Sequence, residues 1–124
     1  MHSPWGVALD TQSNLYVIDT GNNRIQKLSP QGQLLAEWGT DGSGPGQFNM
    51  PGGIAVDAQG NIYVADTGNH RIQKLSPEGK PLAAWGSEGR NPGQFLRPTG
   101  VAVDAQGNIY VTDPDNNMVQ KYLP

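Results

Sequence analysis

The 124 residues include 17 glycines and 10 prolines, with 15% charged residues and no cysteine, which excludes a helical bundle and any disulfide or thiolate framework. Eight basic against eleven acidic residues give a net charge of −3, so no overall field draws the chain to nucleic acid or to an anionic membrane surface. No apolar run approaches the length of a spanning helix and Met1 to Trp5 lack the regions of a signal peptide, so a soluble chain of unspecified compartment is expected.

The elements recur with a period of 47 residues. Pro4, Pro51 and Pro98 fall in register, then Asp10, Asp57 and Asp104, then Tyr16, Tyr63 and Tyr110, and 29 of 47 positions are identical between residues 4–50 and 51–97. Units this similar fold alike. The single segment 1–124 therefore divides into repeats 4–50 and 51–97 and an incomplete repeat 98–124.

Each repeat reads as four short strands. The first covers residues 6–10, 53–57 and 100–104, where apolar residues alternate with a small alanine as a crowded inner strand requires. A tight hairpin follows, in which Gly60 and Gly107 supply the positive φ of a bulged turn and Ser13 takes that place under strain. The second strand covers 15–19, 62–66 and 109–113, each copy with a tyrosine among β-formers. Asp19-Thr20-Gly21-Asn22-Asn23 turns the chain into a third strand at 24–28, which stops before Pro30. A fourth strand at 34–38 ends on Trp38, as its copy ends on Trp85, and a connector at 39–50 carries Gly-Pro-Gly-Gln-Phe to the next unit. The third unit stops at Pro124, where its fourth strand would begin.

Antiparallel meanders of this period cannot bury both faces alone, so they stack around an axis as an all-β propeller. The run Asp66-Thr67-Gly68-Asn69-His70-Arg71-Ile72-Gln73-Lys74-Leu75, with its variant from Asp19 to Leu28, resembles the signature of the NHL-repeat family. The resemblance spans nearly the whole chain and implies a six-bladed ring. The third unit departs from it, with Pro114-Asp115 for Thr-Gly and Met118 for Arg. The resemblance also implies protein binding, or RNA binding through a basic face, and propellers of related shape act as lyases or lactone hydrolases. The 47-residue period equally suits a fragment or an engineered propeller.

Asp10, Asp57 and Asp104 at one strand end, and Asp19, Asp66 and Asp113 at another, invite a metal or acid–base reading, but groups repeated in equivalent places do not converge, so capping of the following turns is expected. Arg24 and Arg71 follow those turns and are expected to lock the turn or the neighbouring blade. His70 stands where the first unit has Asn23; with only His2 besides, no zinc set is available. Trp38, Trp85, Phe48 and Phe95 recur, which favours packing between blades over a stacking platform. Neither a phosphate loop nor a Ser-His-Asp order is present. No cofactor, no metal and no enzymatic activity are therefore expected.

The meander sends the long connectors and the turns after the second strand to one end. That end holds Arg24, Arg71, His70, Arg90 and Arg97, where the units differ most, and is the expected binding surface for a protein or peptide. RNA is the less favoured partner on an acidic chain, and a lyase or lactonase is the remaining alternative. Three blades leave an apolar face at each end, so assembly as a homodimer that closes six blades is expected, with Trp5 near the junction.

Overall fold

The computed structural model describes residues 4–122; His2 and Pro124 lie outside them. In blade 1, β1 (Pro4–Leu9), β2 (Leu15–Asp19), β3 (Arg24–Leu28) and β4 (Leu34–Trp38) form an antiparallel sheet in chain order. The connector adds a short parallel pair, β5 (Thr40–Asp41) and β6 (Gln47–Phe48). Blade 2 repeats the meander with β7 (Gly53–Val56), β8 (Ile62–Asp66), β9 (Arg71–Leu75) and β10 (Pro81–Trp85). Blade 3 has β11 (Gly100–Val103), β12 (Ile109–Asp113) and β13 (Met118–Tyr122). Among the described residues no helix is long and apolar enough to cross a membrane.

The inner strands end one residue earlier than the alternation predicts, and β1 begins two residues earlier. The aspartate that follows each of them caps the hairpin, the role expected of it. Asp57 Oδ1 accepts the backbone N–H of Gln59 (3.0 Å) and Asn61 (2.9 Å), and Oδ2 accepts Asn61 Nδ2 (3.0 Å) and the Tyr63 hydroxyl (2.9 Å). Asp10 and Asp104 make the same four contacts. Gly60 and Gly107 both have φ of 86°, and Ser13 is held at 65° in the same place, a conformation that disfavours any side chain.

These hairpins make stability depend on pH at both extremes. Burial raises the Asp57 pKa, but the bonds from Asn61, Tyr63 and Gln59 outweigh it and the net shift is downward; Asp10 is lowered in the same way. At Asp104 the Asn108 amide leads the lowering. A carboxyl lowered in the folded state contributes stability above its unfolded pKa, and that contribution disappears as pH falls through the folded value. Tyr63 is pushed up to about 12 by burial and by its bond to Asp57, so its contribution is complete below the unfolded value near 10 and is lost as pH rises through the folded one. Thermal melts should therefore give a plateau near neutrality, a decline as pH drops below about 4, and a second decline above about 10. Asp57→Asn should flatten the acid decline.

The turn after each second strand is a single turn of 3-10 helix, at Thr20–Asn22, Thr67–Asn69 and Pro114–Asn116. It closes on a left-handed residue, Asn23, His70 or Asn117, with φ of 54°, 55° and 53°. Pro114 keeps the same turn in blade 3 because the first position needs no N–H.

The core lies between blades. Tyr16, Ile18, Ile25 and Phe48 meet Ile54, Ile62, Val64 and Leu75, with Trp38 packed against them. Tyr63, Ala65, Ile72 and Phe95 meet Ile109 and Val111, with Trp85 alongside. The Trp38 ring lies where a Cβ on Gly79 of the next blade would stand.

Candidate functional site

The connector end is built by the turns that follow the second strands. In blade 2 the buried Asp66 is the hub: Oδ2 accepts Asn69 Nδ2 (3.0 Å), Arg71 Nε (2.8 Å) and Gln73 Nε2 (3.1 Å), while Oδ1 accepts the backbone N–H of Asn49 (2.8 Å). Arg71 carries its guanidinium onto the carbonyls of Ser43, Gly44 and Gln47 at 2.8, 2.9 and 3.0 Å. In blade 3, Asp113 accepts the N–H groups of Leu96 and Arg97, both at 2.9 Å. Asp19 accepts Arg24 Nε and Asn22 Nδ2, each at 3.0 Å. None of the three carboxylates caps the backbone of the turn that follows it, although the repeat pattern suggests that role: Asp66 and Asp113, with Arg71, hold connectors in place, and Asp19 holds the side chains of its own turn and strand. Among the described residues no three histidine or acidic side chains gather where they would hold a metal ion.

Inside this frame, where the inner strands begin, lies a groove of about 410 Å³. Trp5, Met50 and Leu96 give it apolar walls; Thr20, Thr67 and Thr99, together with His70, Arg97 and Asp115, give it polar ones. The His70 ring is oriented on one side by its Nδ1, 2.7 Å from the Leu96 carbonyl. A carbonyl only accepts, so Nδ1 carries the proton in this contact. The other nitrogen, Nε2, stands 4.0 Å from Glu88 Oε1, and Arg97 Nε is 3.5 Å from Asp115 Oδ2.

The structure thus brings together His70 and Arg97 from the expected set and adds Trp5. It commits Arg24 and Arg71 to turns and connectors, and leaves Arg90 exposed on the second connector. Met50 and Leu96 fall where the units differ, Asn49-Met50 against Leu96-Arg97, and are legible as part of the variable end; Thr20 and Thr67 recur in register and give no such signal. Met50 sits at φ 51° with no glycine to announce it, held because its N–H donates to Asn23 Oδ1 at 2.8 Å.

A family model for the NHL repeat matches residues 1–28, 48–75 and 95–122. The chain belongs to the NHL-repeat family. A comparison with curated protein sequences finds no match, but solved structures show the same fold. A streptogramin B lyase is 20% identical with a TM-score of 0.69, over 95% of this chain and 39% of that one. A gluconolactonase from Xanthomonas campestris is 18% identical with a TM-score of 0.65, over 89% and 34%. Regucalcin, a calcium-binding protein from Agrobacterium tumefaciens, is 18% identical with a TM-score of 0.69, over 95% and 44%. This NHL chain therefore spans about two fifths of the streptogramin lyase's length.

The expectation of no enzymatic activity needs correction, because propellers named as lyase and gluconolactonase are built on this fold. That expectation held that near-identical units cannot bring unlike polar groups together. The groove overturns the premise: the repeats differ at the connector ends, and those differing residues line one hollow.

Proposed function

We propose that the chain supplies three blades of a propeller enzyme of the lyase or lactonase type, with substrate bound in the groove between Trp5 and His70. The observation that carries this reading is the His70 ring, fixed through Nδ1 by the Leu96 carbonyl and set in an apolar hollow beside Arg97. An imidazole so fixed offers Nε2 for proton transfer. Lyase chemistry on an ester takes a proton from carbon onto that nitrogen, forms a C=C bond as the C–O bond breaks, and releases a carboxylate beside the Arg97 charge. Trp5, Met50 and Leu96 hold the apolar body of the substrate.

Two probes come from the similar proteins: quinupristin, present with a catalytically inactive virginiamycin B lyase variant from Staphylococcus aureus, and glucono-1,5-lactone, after the Xanthomonas enzyme's name. The chain should convert at least one of them, read by mass spectrometry. His70→Asn places blade 1's own residue in the same left-handed turn, and should cut the rate by about 100-fold or more while leaving the circular dichroism unchanged. Equal rates in both proteins, or no conversion of either probe, contradict the reading.

A second copy closing the ring completes the proposal. Ile54 and Ile72 of blade 2 are 8% and 0% exposed, whereas their counterparts Val7 in blade 1 and Val119 in blade 3 are 61% and 66% exposed. In the middle blade these positions are covered by blades of the same repeat, so an end blade of another copy is the matching cover.

A further inference from the structure

Blades 2 and 3 meet their connectors through matching bonds, with one exception. Asn69 Nδ2 donates to the Gly42 carbonyl at 2.8 Å, and Asn116 Nδ2 to that of Gly89 at 3.1 Å. Gln73 Nε2 donates to the Gln47 carbonyl at 2.6 Å, and Gln120 Nε2 to that of Gln94 at 2.9 Å. Within the connectors, the Gln47 N–H donates to the Gly44 carbonyl at 3.0 Å, as the Gln94 N–H does to that of Asn91 at 2.9 Å. The two connectors thus share one shape, and the carbonyls of Arg90 and Asn91 stand at blade 3 as those of Ser43 and Gly44 stand at blade 2.

The exception is a cation. In blade 2 the Arg71 guanidinium joins Asp66 to those carbonyls, whereas the residue in its place in blade 3 is Met118, a type with neither charge nor side-chain N–H. Asp113 is as fully buried as Asp66, each 0% exposed, yet among the described residues it forms no ion pair. The donors that reach it, the N–H groups of Leu96 and Arg97 and the Asn116 amide, are neutral. Beside it Asn116 Oδ1 is buried and accepts no hydrogen bond, the only such side-chain atom among the described residues. A buried carboxylate without countercharge and a buried acceptor without a donor both favour a cation that carries N–H groups.

We infer that this corner of blade 3 binds the arginine side chain of a peptide or protein partner, its guanidinium taken between Asp113, Asn116 Oδ1 and the carbonyls of Arg90 and Asn91. Arg71 shows why a guanidinium fits and a metal ion does not. Its acceptors lie 2.8 to 3.0 Å from three different nitrogens of a planar fork, whereas a calcium or magnesium ion needs its oxygens about 2.0 to 2.6 Å from a single point. A lysine ammonium puts all its donors on one nitrogen and reaches fewer of these oxygens. The inference is independent of the groove, because none of these four residues lines it.

The test is NMR titration of the labelled full chain with N-acetyl-arginine amide, and with N-acetyl-lysine amide for comparison, following the side-chain amides of Asn116 and Gln120. The arginine compound should bind saturably at millimolar concentration, about ten-fold or more tightly than the lysine compound. Met118→Arg gives blade 3 the arginine that blades 1 and 2 carry at this place. It should fill the site from within, weakening the arginine compound about ten-fold or more and raising the melting temperature. Circular dichroism checks that the variant folds; should it not, the lysine comparison decides alone. Absence of saturable binding, equal affinity for the two compounds, or undiminished binding by folded Met118→Arg overturns the inference.

Discussion

Gly53→Ala is expected to destabilise the chain by about 3 kcal/mol or more, a large share of the stability of a small domain. Gly53 begins the inner strand of blade 2, and a Cβ there would run into the carbonyl oxygen of Thr99 and come within 3.2 Å of Gly100 Cα. Both atoms are backbone at the entry to β11, the neighbouring inner strand, and cannot yield without parting blades 2 and 3. Gly32→Ala is the control. Its hairpin has open space around the Cβ and only a left-handed φ of 87° to object, so the cost there should be about 1 kcal/mol. Urea denaturation compares the two; equal, small losses would show that the inner strands are not in tight contact.

Closure of the ring should double the mass in solution. Light scattering is expected to find twice the 13.3 kDa of one chain, and Val119→Asp should return it to a single chain by placing a charge on the open face of blade 3. A folded 13.3 kDa species that persists at micromolar concentration would contradict closure by a second copy. The same comparison bears on Trp5, which lies 74% exposed beside the open face of blade 1.

How much of this was legible in the sequence depended on how local each cause is. β2 and β3 run over the residues that their β-branched and tyrosine pattern marks, because pattern and hairpin chemistry agree there. The inner strands were read one residue too long at Asp10, Asp57 and Asp104, since each aspartate takes its role from an asparagine and a tyrosine farther along. The β5–β6 pair escaped because its neighbours are set by Arg71 and Gln73 of the next blade. The groove was the least legible part. Repetition draws the eye to what recurs, namely the scaffold of Asp66, Gly60 and Trp38, whereas the hollow is lined by residues such as Trp5 and Met50 that break the repeat. His70 and Arg97 were found because they stand at loop ends where the units differ; Thr20 and Thr67 recur in the turns and look like scaffold.

The location of the site is open to one decisive measurement, NMR titration of the labelled chain with quinupristin and with glucono-1,5-lactone. The shifts should concentrate on the Trp5 indole, the His70 ring and the backbone of Met50, Leu96 and Arg97, and His70→Asn should remove catalysis while the Trp5 shift remains. Shifts clustered instead on Gln12, Gln59 and Gln106, in the hairpins at the opposite end, or no shift at Trp5 and His70 with either probe, would contradict that location.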